Sequence, residues 1–289
     1  MKLYILPFDH RGSFMKLIKA RKNPTKEDID KAKEYKKIIY QAFLQALKTV
    51  RKNNAGILVD EWLGKDILKD AHKRKIITAT TLERSGQKEF LFDQKDWKKQ
   101  LQGIKPTYAK VLVRYNPEGD QKLNKRQAKK LVTLSKYLEK KKTQLLFELL
   151  VPPTKKQLNK SKTRKKYDHS IRPYLMVKAV LELEKAGVKP DLWKLEGLWR
   201  TKLMKLVASQ LNPHAKIIVL GRGESKVRAK LWVKKAAKVD KVVGFAVGRT
   251  IFQKPLEKLN SGKWSKEKAT KKITKNYLEF VKLFEKNKR

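Results

Sequence analysis

The chain has 289 residues, 40% of them hydrophobic and 9% aromatic, which is enough apolar material for a substantial buried core and excludes a disordered protein. It contains no cysteine, so disulfides, thiolate nucleophiles and cysteine-ligated metals are excluded. With 73 Lys and Arg against 28 Asp and Glu, the formal charge of +45 favours phosphorylated metabolites, nucleic acid or other polyanions as partners, unless the bias is one shared across the host's proteins.

The N-terminal stretch Met1 to Asp9 is too short and too soon interrupted for a signal peptide, and no apolar run approaches the roughly 20 residues that span a membrane. A cytoplasmic protein without membrane association is therefore expected, and a homo-oligomer is anticipated.

Apolar runs of strand length recur eight times, most of them separated by lysine-rich segments with helical periodicity. The first run is Lys2 to Phe8. It is followed by the one-sided stripe Ile29, Ala32, Ile38, Ile39, Ala42, Phe43, Ala46, Leu47 and Val50, an amphipathic helix for which Thr25 and Asp28 form a capping box. Gly56 to Val59, Ile76 to Leu82 and Tyr108 to Val113 are the next three strands. Asn124 with Gln127 marks the start of a helix with Ala128, Leu131, Leu134 and Leu138 on its apolar face. The fifth strand, Gln144 to Val151, carries Glu148. After it comes Lys155 to Lys166, a run of seven basic residues without an acid, which reads as a solvated loop or an electropositive lid over the site.

A helix from about Ser170 to Ala186 stops at Gly187, a residue suited to the left-handed closing conformation. The sixth strand is Asp191 to Gly197, in which Lys194 and Glu196 share one face and Trp193 and Leu195 the other. Lys216 to Leu220 and Val242 to Val247 are the last two strands, each running into a Gly-Arg pair. A closing helix carries Ala269, Ile273, Tyr277, Phe280, Val281 and Phe284 on one side. Eight β-then-α units with no linker predict an α/β protein, a (β/α)₈ barrel that forms a single domain over residues 1–289. A doubly wound open sheet is the alternative. The barrel is preferred because Asp9, Asp60, Glu61, Glu83, Arg114, Glu196, Arg222 and Arg249 gather at strand C-termini, which converge on one mouth in that fold.

Three charged residues fall inside strands: Lys110, Glu148 and Lys194. A lysine desolvated beside a second cation has its pKa lowered, which frees its amine to attack a ketone, and a glutamate between two lysines can shuttle protons. The competing reading is a buried ion-pair network with a purely structural role. Gly221-Arg222-Gly223 and Gly248-Arg249, after the seventh and eighth strands, are placed where barrels bind phosphate, with Arg249 as a bidentate donor. The four histidines, His10, His72, His169 and His214, lack metal-binding spacing, and His72 reads as a helix-surface residue. No P-loop is present, and the aromatics are not interleaved with the basic runs as in an RNA-binding platform.

The stretches Phe8 to Phe14, Gly56 to Glu61, Ala109 to Asp120, Phe147 to Pro152, Trp193 to Gly197, Val219 to Gly223 and Val247 to Thr250 together resemble the aldolase-like domain found C-terminal to the sugar kinase of myo-inositol breakdown. More distantly they are similar to class I aldolases of the tagatose-bisphosphate and fructose-bisphosphate type. The resemblance implies a retro-aldol cleavage through a Schiff base on Lys194, with Glu148 transferring protons and Lys110 and Asp9 completing the catalytic set. It also implies phosphate binding by Gly221, Arg222, Gly223, Gly248 and Arg249, with no metal and no cofactor. Arg11, Asp60, Arg114 and Glu196, at or near the strand ends, are the expected substrate contacts. The implied substrate is a phosphorylated keto sugar acid, 6-phospho-5-dehydro-2-deoxygluconate. The rival expectation is a catalytically diverged barrel that binds RNA or other polyanions through its basic surface.

Overall fold

The computed structural model describes residues 1–288. Its strands are β1 (Leu3–Pro7), β2 (Ala55–Val59), β3 (Ile77–Thr81), β4 (Tyr108–Arg114), β5 (Gln144–Leu150), β6 (Leu192–Glu196), β7 (Lys216–Leu220) and β8 (Val242–Ala246). They pair in parallel in chain order, and β8 returns to β1 to close a barrel. Gly244 makes that seam possible, because a Cβ there would lie 1.7 Å from the Leu3 carbonyl oxygen.

The outer layer consists of α1 (Gly12–Leu17), α2 (Lys26–Ala46), α3 (Glu61–Lys73), α4 (Trp97–Ile104), α5 (Gln121–Lys140), α6 (Lys155–Ser161), α7 (Arg164–Lys166), α8 (Arg172–Lys185), α9 (Thr201–Ser209), α10 (Lys226–Ala236), α11 (Arg249–Asn260) and α12 (Lys266–Asn287). No helix among the described residues is long and apolar enough to cross a membrane.

The pleat sorts the strand residues into two cores. Outward-facing side chains such as Phe147, Trp193, Leu195 and Phe245 join the large core between barrel and helices. Inward-facing Leu3, Ile5, Tyr108, Leu146, Leu192 and Ile218 form a smaller apolar plug in the lumen. Two residues further along three of these strands, the same inward face carries Lys110, Glu148 and Lys194. A charged layer therefore rests on the plug at the C-terminal end of the barrel.

Several local expectations are corrected. The capping box at Thr25 and Asp28 forms as read, but α5 begins at Gln121, capped by Asp120. Asn124 and Gln127 lie inside that helix and are buried. Asn124 donates to the Asn116 carbonyl at 2.8 Å, and Gln127 accepts from the Phe90 N–H at 2.8 Å, so both fasten neighbouring loops. The basic run Lys155 to Lys166 is helical rather than a loop. A second capping box, Thr154 with Gln157, starts α6, and a π-helical turn, Tyr167–Ile171, joins α7 to α8. That turn leaves α8 beginning at Arg172 rather than near Ser170.

Candidate active site

Barrel closure brings Asp9, Lys110, Glu148 and Lys194 into one cluster at the mouth. The register sets Glu148 directly beside Lys194 on adjacent strands, and Lys194 Nζ donates to Glu148 Oε2 at 2.9 Å. Lys110 Nζ lies 3.0 Å from the same oxygen, so one carboxylate joins the two ammonium groups. Lys110 also reaches Asp9 Oδ2 at 3.1 Å and Glu83 Oε1 at 2.6 Å. Lys110 thus donates hydrogen bonds to two carboxylates and lies at ion-pair distance from a third. Lys194 donates to Glu148 alone among the described residues, which leaves two of its protons uncommitted, and 6% of its side chain is exposed.

The electrostatics follow from these contacts. Burial disfavours charge on Lys110, but Glu148, Glu83 and Asp9 outweigh it and hold its pKa well above the ordinary lysine value. The expected lowering of a strand lysine therefore does not occur at Lys110, because three anions surround it rather than a second cation alone. Burial opposes ionisation of Glu148 and Asp9 too, yet Lys110 and Lys194 pull both below the usual carboxylate range. Glu148 is thus an anion in the resting site, with Oε1 free of hydrogen bonds to the described residues. Glu83 moves the other way. Burial raises its pKa against the pull of Lys110, and its Oε2 is buried without a partner. Sequence reasoning noted Glu83 only as one of many polar strand ends; its contact with Lys110 depends on the pairing of Thr81 with Lys110 across β3 and β4.

Five expected site residues are engaged elsewhere. Asp60 is buried in the helix layer, where it caps α3 through the Leu63 N–H at 2.9 Å and pairs with the buried Lys36. Glu196 sits below the rim rather than on it, accepting from Arg222 at 2.8 Å and lying 3.5 Å from Arg172. Arg222, expected among the phosphate contacts, is held between Glu196 and Asp168, each at 2.8 Å, so its guanidinium is paired with two carboxylates. Arg11 ties down the loop after β3 through Asp93 at 2.8 Å and the Glu83 carbonyl. Arg114 reaches that loop as well, donating to the Gln87 carbonyl at 2.9 Å.

Arg249 differs from Arg222. It makes no ion pair among the described residues and donates only to the Arg222 carbonyl, at 3.2 Å. Gly223, at φ +71°, lets it tuck under the β7 turn, since a Cβ there would lie 2.5 Å from the guanidinium. Gly221 opens that turn and Gly248 stands at the start of α11, so the glycines and Arg249 do converge on one side of the mouth. His10 closes this side beside Arg249. Burial, reinforced by the cations Arg249, Lys194 and Lys36 against the pull of Asp9, brings its pKa down from 6.5 to about 4. A cleft of about 470 Å³ opens there between α1 and α11, lined by His10, Ser13, Phe252 and Arg249 among others.

A family model described as "Uncharacterized protein conserved in bacteria (DUF2090)" matches residues 1–288. No curated protein matches the sequence. Among solved structures, the crystal structure of an archaeal fructose 1,6-bisphosphate aldolase is similar with a TM-score of 0.63 at 12% identity, over 98% of this chain and 93% of that one. A structure of the Schiff-base-forming fructose-1,6-bisphosphate aldolase, from an analysis of its reaction intermediates, gives a TM-score of 0.61 at 12% identity, over 98% of this chain and 94% of that one. At this identity the likeness is one of fold.

Proposed function

The chain belongs to the DUF2090 family, and from that premise we propose that it is a Schiff-base-forming aldolase acting on a phosphorylated keto sugar. One observation carries the reading: Lys194 lies in the lumen at the C-terminal end of the barrel, hydrogen-bonded among the described residues only to an ionised carboxylate, Glu148. The fold shared with the fructose-bisphosphate aldolases, one of which forms a Schiff base, supports it. So does the resemblance of the strand-end motifs to the aldolase-like domain of myo-inositol breakdown.

Glu148 takes a proton from the Lys194 ammonium across their 2.9 Å hydrogen bond, and the free amine adds to the substrate ketone. The same carboxyl returns that proton to the departing hydroxyl, so water leaves and a protonated imine remains. Lys110, surrounded by three carboxylates, stays cationic and stabilises the negative charge on Glu148 and Asp9 between steps. In the substrate implied by the resemblance, 6-phospho-5-dehydro-2-deoxygluconate, the imine forms at C5. An ionised carboxylate accepts the C3 hydroxyl proton, and the C3–C4 bond breaks with its electron pair drawn toward the imine. Malonate semialdehyde departs. Protonation of the enamine at C4 and hydrolysis of the imine then release dihydroxyacetone phosphate. Arg249 and the glycine turns after β7 and β8 hold the phosphate.

Borohydride reduction in the presence of dihydroxyacetone phosphate tests the reading. A covalent adduct on Lys194, absent from Lys194→Met, is expected; failure to trap any ketose phosphate on this residue sinks it.

A further inference from the structure

Outside the barrel mouth, between the π-helical turn and the start of α9, a cleft of about 530 Å³ is lined by His169, Tyr174, Trp199, Arg200 and Lys202, with Leu203 and Leu206 of α9 and Ser170 completing it. Its size lies within the roughly 300–1,000 Å³ of small-ligand clefts. The three aromatic residues come from separate segments, the π-helical turn, α8 and the link from β6 to α9, and only the fold unites them. The π-helical turn sends adjacent residues to opposite sides: Asp168 into the buried pairing with Arg172 and Arg222, His169 into the cleft.

Trp199 is fixed in place. His169 lies 4.2 Å from it, ring centroid to centroid, and the Arg228 guanidinium sits 5.3 Å from its ring. Tyr174, by contrast, is 55% exposed, a large aromatic surface left to water. Arg200 and Lys202 are exposed and make no ion pair among the described residues, and no carboxylate lines the cleft. A ligand that suits this lining is flat, aromatic and anionic. A sugar would bring hydroxyl groups with no carboxylate to receive them, and a purely apolar segment would leave both cations unused.

We propose that this cleft binds a nucleotide unit, its base lying against Tyr174 and Trp199 and its phosphate held by Arg200 and Lys202. Stacking on aromatic faces is tolerant of base identity, and phosphate contacts through Lys and Arg are sensitive to salt. The site gives part of the +45 charge a defined place of action, separate from Lys194 and independent of the aldolase reading. A free nucleotide and a single strand of nucleic acid present the same chemistry to it.

Fluorescence anisotropy of a labelled ten-nucleotide RNA at low salt, with AMP as competitor and heparin as a polyanion without bases, tests the assignment. Tyr174→Ala is expected to weaken RNA binding about tenfold or more, while Tyr174→Phe, which keeps the ring, stays within about twofold. Arg200→Ala combined with Lys202→Ala weakens binding and lowers the salt slope by about one. Lys271→Ala with Lys272→Ala, the same charge removed from exposed positions on α12, has a much smaller effect. Displacement by AMP makes the free nucleotide a ligand, and binding of RNA without displacement makes it a strand. Absence of binding by both overturns the proposal. So does RNA affinity unaffected by Tyr174→Ala, or a Tyr174→Ala loss matched by an equal loss for heparin, since either result leaves bulk charge as the cause.

Discussion

Lys36 and Lys194 are both removed from water and both bonded to a carboxylate, but they sit in different layers of the barrel. Lys36, on α2, is wholly enclosed between barrel and helices. It pairs with Asp60, which also caps α3, and its ammonium lies 5.2 Å from the Phe14 ring. Lys194 faces the lumen, and its partner Glu148 is shared with Lys110. Burial, against the pull of Asp60, lowers the pKa of Lys36, whereas the pKa of Lys110 moves up. A lowered lysine pKa would therefore single out a group that no substrate reaches. What separates the two regions is exposure: the Lys36 pair is closed off at 0% and 1%, while the Lys194 pair, in the lumen, keeps 6% and 10%.

Substitutions in the two layers should accordingly have opposite consequences. Lys194→Met should lower aldol turnover by about 10⁴-fold or more, the scale on which loss of a covalent nucleophile acts, while Glu148 retains Lys110 as partner and the fold persists. Steady-state kinetics and the melting transition of the same preparation check both halves. Lys36→Met should do the reverse. It leaves Asp60 buried without its cation and should cost about 3–5 kcal/mol of stability in urea unfolding, with turnover per folded molecule nearly unchanged. If Lys36→Met abolished turnover in folded protein, the separation of the two layers would fail.

Smaller effects sharpen the contrast within the mouth. Arg249→Ala should raise KM for a phosphorylated substrate about 10- to 100-fold, the equivalent of one charge-assisted contact of about 1.5–3 kcal/mol. Arg222→Ala should instead reduce stability, because it strips Asp168 and Glu196 of a shared partner. Comparing KM with the urea midpoint for the two variants shows whether only Arg249 is free for substrate.

The weakest expected effect is that of His10. Its folded pKa, near 4, lies below the unfolded value near 6.5, so between these values the unfolded chain binds a proton that the folded chain does not. Stability should fall as pH drops from 6.5 toward about 5, before most carboxylates titrate. His10→Gln should flatten that part of the profile.

Local pattern was enough to read the eight βα units. Strand alternation, the Thr25 capping box and the Gly187 stop depend on residues a few positions apart, and they appear where read. The position of Lys110, Glu148 and Lys194 inside strands was also legible, whereas their inward direction follows from the inward packing of Tyr108, Leu146 and Leu192 two residues earlier. Asn124 and Gln127 show the limit of such reading: they carry the residue types of a helix start, yet their side chains serve loops that only packing brings near.

By itself the sequence determined that strands alternate with helices and that Lys110, Glu148 and Lys194 lie inside strands, while the barrel put all three on the inward face. Only the tertiary structure decided which charges are spent on one another. Asp60 goes to Lys36, Arg222 to Asp168 and Glu196, and Glu83 with Asp9 to Lys110, while Arg249 is left unpaired by the described residues. The same holds for His169, Tyr174 and Trp199, which line one cleft although no basic run is interleaved with them. The physical reason is that an ion pair or an aromatic cleft depends on distance in space. Residues such as Asp9 and Lys110, 101 positions apart, come within 3.1 Å only when β8 closes on β1 and the register of every strand is set.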